Sequence, residues 1–329
     1  MPRALPFSLS HSNGEWAIQQ VGRQAKRLAA LQGEVLHDRD PEALHQMRVN
    51  LRRLRTTLQQ FSPALVLPPA VRDQRLARSV RRLGMARDLD VLRDRLEQEL
   101  APGLPPAEQA SLKPVLRQLK RERRVARERL KETLRGRGHL ELLAQLQQWL
   151  RQPQLTPLGR EPLQQWLHEW LLPPTLHLAL HPGWWARDPV NEADTLHDLR
   201  KRIKNLRYQL ENLRSIGSQK LGARINQLRN LQELLGELND LAVLARAIDQ
   251  QMPHSLERDL PALAIAMSQR REQCWIAWRR QAIQQHGGQT RRQQRLELIQ
   301  IAARRRSRLM CSAIPEFVSI RVATSSLNH

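Results

Sequence analysis

Along most of this chain apolar residues recur at three- and four-residue intervals, the period of a helix with one buried face, and no convincing two-residue alternation interrupts them. The clearest run is Leu44, Met47, Leu51, Leu54, Leu58 and Phe61. It returns position for position, 152 residues later, as Leu196, Leu199, Ile203, Leu206, Leu210 and Leu213. Start and stop signals predict helices over about 15–37, 41–61, 71–100, 107–135 and 139–150, and then over about 191–213, 219–251 and 255–285. Asp40 followed by Pro41 supplies a cap and a first-turn proline. Asn191 with Asp194 three residues on is a variant of the capping box. SPALVLPP and APGLPP stop helices, and RQPQLTPLGREP reads as a joint. In PLQQWLHEWLL and beyond, Pro173–Pro174 should kink or split the helix. One more helix is expected after Gly287–Gly288.

The repeat is wider than one helix. LGMARDLDVL (Leu83–Leu92) returns as LGELNDLAVL (Leu235–Leu244) at the same shift of 152, so helix, connection and next helix recur without a net insertion. Such self-similarity decides architecture. The expected fold is all-α, with two four-helix-bundle modules related by a pseudo-twofold axis. They span residues 10–150 and 151–290, followed by a basic tail at 291–329 that is partly helical or disordered. Gly84 and Gly236 recur inside helices, where each costs about 1 kcal/mol relative to alanine, and are expected to permit close helix contact.

Beside the apolar stripe runs a second one. His45, Arg48, Arg52 and Arg55 return as His197, Arg200, Lys204 and Arg207, and each set falls within an arc of about 80° at ~100° per residue. A charge run is usually just a solvated helix face. These rows, however, recur in both copies, adjoin the buried face, and read as uncompensated by acids one turn away. Arg48, Arg52 and Arg55 neighbour Thr56 and Gln59 rather than a glutamate. Like charges at that spacing repel, so an anion is the expected complement. Asp88 and Asp240 occupy matching places and could each hold an arginine of the row, or form an ordinary ion pair. Arg72 with Arg224, and Arg127 with Arg279, align under the same shift and are further anion-binding candidates.

Composition narrows the partner. Across 329 residues, 54 Lys+Arg face 32 Asp+Glu for a formal net charge of +22, while 40% apolar residues suffice for a core. Such self-repulsion suggests a polyanion: nucleic acid, an acidic membrane, a phosphate polymer or an acidic protein. Guanidinium, the commoner cation here, matches phosphate oxygens in a planar fork. Base stacking needs aromatics interleaved with the charges, yet only Tyr208 borders a row, and Thr56 replaces it in the other copy. That points away from nucleic acid. Trp149, Trp166 and Trp170 read as core or interface, and Trp184–Trp185 as a loop pair. No Gly-rich phosphate loop, nucleophile elbow or metal-binding carboxylate cluster is present, and HLALH (His177–His181) lacks the HExxH glutamate. No enzyme, cofactor or metal is implied. With two cysteines, Cys274 and Cys311, no apolar leader in MPRALPFSLSHSNGEW and no run of ~20 apolar residues, the reading is a soluble cytoplasmic protein.

At HQMRVNLRRLR and HDLRKRIKNLRY, followed one helix later by RDLDVL and NDLAVL, the chain resembles the CHAD family, the conserved histidine α-helical domain. The resemblance covers roughly residues 10–290. It implies two four-helix bundles about a pseudo-twofold axis, with a basic cavity or groove between them. It further implies binding of inorganic polyphosphate, without chemistry, and association with polyphosphate granules. By position, His45, Arg48, Arg52, Arg55, His197, Arg200, Lys204 and Arg207 would line the anion site.

Overall fold

The computed structural model describes residues 11–38, 40–71, 73–215 and 219–303, and it is all-α. Its helices are α1 (Asn13–His37), α2 (Pro41–Gln60), α3 (Asp73–Asp94), α4 (Pro106–Arg135), α5 (Arg137–Arg151), α6 (Pro157–Arg160), α7 (Leu167–Ala179), α8 (Ala193–Asn212), α9 (Gln219–Asp249), α10 (Leu256–Asp259), α11 (Pro261–His286) and α12 (Gly288–Ala303). Arg72 and residues 304–329 lie outside the described residues.

Local chemistry sets most of these boundaries. Ser12 and Glu15 close a capping box on α1. Asp40 accepts from Glu42 N at 2.8 Å, with Pro41 in the first turn of α2. The start of α8 differs from the expected box. Asp188 accepts from the backbone of Val190 and Asn191, and Glu192 from that of Arg187 and Asp188. Asn191 therefore belongs to the turn before α8, which begins at Ala193 without a side-chain cap. Nor do Pro173 and Pro174 split α7, which runs through both. They deprive Glu169 and Trp170 of their usual i+4 donors, while Thr175 returns a hydroxyl to Leu171 O at 2.8 Å. The period-2 search passed over one feature. Two-residue strands, β1 (Leu65–Val66) and β2 (Gln154–Leu155), pair antiparallel and tie the joint back to the end of α2.

Apolar packing forms two cores, and both draw on both halves of the chain. The larger runs from Trp16 on α1 to Leu298 on α12 and takes in the stripes of α2 and α8. The smaller joins Leu92, Leu96, Leu112 and Val115, from the α3–α4 hairpin, to Leu244, Ile248, Leu260 and Leu263, from the α9–α11 hairpin. Beyond Asp94 the third helix widens into a π-helical segment, Arg95–Leu100. There Arg95 pairs with Glu237 of α9, which also takes Arg270 of α11 at 3.0 Å. Glu108 on α4 accepts from the backbone N–H groups of Ala262 and Leu263 at 2.9 and 3.0 Å. These are first-turn donors of α11, whose own cap residue, Leu260, offers no side chain oxygen.

The halves also meet where α2 lies against α8, through a largely polar seam. Thr56 Oγ1 donates to Asn205 Oδ1 at 3.2 Å, Thr57 Oγ1 to Asn212 Oδ1 at 3.1 Å, Gln60 Nε2 to Gln209 O at 3.4 Å and Asn212 Nδ2 to Gln60 Oε1 at 2.8 Å. Arg53 lies over the Tyr208 ring, 5.6 Å from its centroid. The 152-residue shift exchanges these contacts: Gln60–Gln209 maps onto Asn212–Thr57, Thr56–Asn205 onto Tyr208–Arg53, and Gln60–Asn212 onto itself. The pairing advances the same way along both helices, so α2 and α8 run side by side in one direction.

Replacing Glu108 with alanine should remove the cap of α11 and lower stability by about 1–2 kcal/mol, read by urea denaturation, with Glu108→Gln recovering part of the loss.

Candidate anion-binding site

On each seam helix the cation row lies between the apolar stripe and the seam. The apolar stripe of α2 is buried completely, with Met47, Leu51 and Leu54 at 0% exposure, and Leu199 and Ile203 match it on α8. Burial of the stripe fixes the rotation of each helix, and the seam fixes their register. The rows then have one place to go: the interval between the seam and the second core, where the two halves touch again.

There the cations converge. Lys204 is desolvated and surrounded by Arg52, Arg48, Arg200 and Arg207, and burial together with those charges pushes its ammonium down to about 6. Burial, then Arg48, brings the Arg52 guanidinium to about 10, so it stays charged at neutral pH. Neither Arg52 nor Lys204 has an ion pair among the described residues. Arg48 reaches Asp88 at 3.3 Å, an exposed carboxylate. Asp240 does not play that part for Arg200; it accepts instead from Asn239 at 3.1 Å. Arg200 lies over Gly236, where an added Cβ would meet its Nε at 3.3 Å, and that Nε is buried without a hydrogen-bond partner. Glycine here makes room for a guanidinium rather than for a neighbouring backbone. At Gly84 a Cβ would meet nothing closer than Asp88 at 3.9 Å.

A cavity of about 410 Å³ opens on this cluster, lined from α2 by Arg52, Arg55, Thr56 and Gln59 and from α8 by Arg200, Lys204 and Tyr208 among others. Its one carboxylate is Asp198. His181 at 3.0 Å, Lys201 at 3.1 Å and Arg202 at 3.5 Å engage it and hold it down to about 2. His197 also lines the cavity, its Nδ1 bonded to Asn239 Oδ1. Burial lowers both His45 and His197 below the usual imidazole range, so both rings are neutral in the free protein.

Other candidates stand apart. Arg207 is buried and tied to Glu211 at 2.5 Å and Gln232 at 3.0 Å. Glu211 is the acid one turn away that a search for uncompensated charge overlooked. Arg127 is buried against Asp38 at 2.9 Å and Val35 O, holding α4 to the end of α1. Arg224 is buried near Gln285 at 3.2 Å, and burial takes it to about 10. Arg279 lies on the surface, 6.0 Å from the Trp275 ring centroid. Tyr208 is 3% exposed under Arg207, so its ring offers no platform to a base.

The chain matches the family model described as the CHAD domain over residues 19–249. Two solved structures are similar to it. One is the CHAD domain from the plant Ricinus communis, 24% identical with a TM-score of 0.57, over 90% of this chain and 94% of that one. The other is PptA from Streptomyces chartreusis, 19% identical with a TM-score of 0.61, over 82% and 99%. At these identities the likeness speaks for the fold. Among curated proteins none matches.

Lys204 gives the site a pH signature. An unfolded lysine titrates near ~10.4 and Lys204 near 6, so the unfolded chain holds the extra proton between these values and stability falls as pH drops through that window. Lys204→Met should therefore raise the melting temperature at neutral pH. A bound polyanion restores the proton, so wild-type affinity should rise as pH falls from about 8 to 6, with proton uptake visible as buffer-dependent heat. Lys204→Met should flatten that rise.

Proposed function

The chain belongs to the CHAD domain family, and from that premise we propose that it binds inorganic polyphosphate, without turning it over, in the groove between α2 and α8. The observation that carries this reading is the convergence of Arg48, Arg52, Arg200 and Lys204 on one cavity whose single carboxylate is already committed. Polyphosphate presents about one charge per phosphate and no sequence to read, so fixed guanidiniums along a groove are sufficient recognition. The buried, unpartnered Nε of Arg200 is a donor that a phosphate oxygen would satisfy. Metal-assisted phosphoryl transfer needs acids free to hold the ion beside the substrate. Asp198, bound to two cations and a histidine, is poorly suited to that. Cytoplasmic polyphosphate granules are where such a protein would act. Among the described residues no helix is long and apolar enough to cross a membrane.

Titration of long-chain polyphosphate tests the reading. Wild type should bind with a steep salt dependence, and Arg48→Glu/Arg52→Glu/Arg200→Glu should lose about a hundredfold in affinity or more. Unchanged affinity in the triple variant removes the site. Displacement by single- or double-stranded nucleic acid at equal phosphate concentration favours a nucleic-acid module, and phosphate release with Mg²⁺ or Mn²⁺ an enzyme.

A further inference from the structure

Each residue of the groove has a counterpart 152 positions away, and the counterparts build something different. Arg55, Gln59 and Val80 line the cavity; their counterparts are Arg207, Glu211 and Gln232. Where Arg55 has a neutral amide and an apolar side chain for neighbours, Arg207 is clasped by Glu211 at 2.5 Å and Gln232 at 3.0 Å. Glu211 also takes Arg53 across the seam at 2.9 Å and stands 3.9 Å from Arg229. The Arg207 guanidinium stacks 4.5 Å from the Tyr208 ring centroid, and the counterpart of Tyr208 is Thr56. One side of the seam is thus a cavity of about 410 Å³ edged by Arg52 and Lys204. The other is packed by three guanidiniums around one carboxylate that is 14% exposed.

We infer that Glu211 occupies the place of an anion on its side of the seam, so that polyphosphate is held from the opposite side alone, along Arg52, Arg55 and Lys204. This rests on the polyphosphate reading above. Charge-assisted hydrogen bonds to a partly buried carboxylate are among the stronger polar contacts. A phosphate group arriving beside Glu211 has to break them and then lie next to a like charge. Gln59 imposes neither penalty. The duplicated sequence thereby yields one binding face from two similar helices, and the residue pair 59 and 211 decides which face it is. Length preference then comes from phosphates engaged in series along one groove, not from two chains held at once.

Exchanging the two side chains tests this. Gln59→Glu places a carboxylate one turn from Arg55, at an exposed position where folding is not at stake. It should weaken polyphosphate binding by about tenfold or more. Glu211→Gln should raise the number of short polyphosphate chains bound per protein from one to two, counted calorimetrically. Wild-type affinity in Gln59→Glu overturns the one-sided assignment, as does a folded Glu211→Gln that still binds one chain. Polyphosphate binding itself survives either result if Arg48→Glu/Arg52→Glu/Arg200→Glu has lost its affinity. A wild type that binds no polyphosphate overturns both. If Glu211→Gln does not fold, Gln59→Glu decides alone.

Discussion

Lys204 is buried within reach of four guanidiniums, and the packing around it must oppose their repulsion. Three arrangements do so. The apolar stripes of α2 and α8 are sunk in the larger core and cannot rotate the charges away. The seam holds the helices together with hydrogen bonds among Thr57, Gln60, Gln209 and Asn212, which are specific in direction as well as distance. Beyond the rows, the tips of the two long hairpins lock through the second core, the Arg95–Glu237–Arg270 cluster and the Glu108 cap. The cations are confined between two closed contacts. Part of the strain is relieved by lysine itself, which gives up its proton; no guanidinium there can do the same near neutral pH.

That division of labour gives Arg and Lys different meanings at equivalent places. Arg52 and Lys204 occupy the same position in the two copies, yet near neutral pH the first is a fixed charge and the second a variable one. A groove built wholly of arginine would hold its repulsion permanently. With one lysine in the cluster, the empty site sheds a charge and the filled site regains it. Stability without ligand and affinity for ligand are thereby partly uncoupled.

Much of this was legible in the sequence because period and repeat are strong signals. The stripe of Leu44, Met47, Leu51 and Leu54 and the row of Arg48, Arg52 and Arg55 set the faces of α2 unaided, and the copy at His197 set those of α8. What escaped notice depended on partners distant in sequence or on several local donors at once. Arg127 and Arg224 carry charge like any surface arginine, and only folding puts Asp38 against the first and buries the second. Asn191 looked like a cap until Asp188 and Glu192 claimed the backbone donors around it. Pro173 and Pro174 promised a break, but packing of Trp170, Leu171 and Leu178 keeps α7 in one piece. Glu211 was in plain view one turn from Arg207. It was passed over because attention went to what the two copies share, and Glu211 is where they differ.

Gly236 has a bearing beyond this chain. It donates nothing to an anion and carries no charge, yet Arg200 rests in the volume its missing methyl group leaves. Residue-type searches for binding sites count what side chains can offer, and by that count a glycine is empty. Here the vacancy acts as a mould. An alanine, the better helix former by about 1 kcal/mol, would improve α9 as a helix while pushing the arginine off its rest. A substitution of that kind would pass as stabilising in a melting experiment and be noticed only when ligand was added.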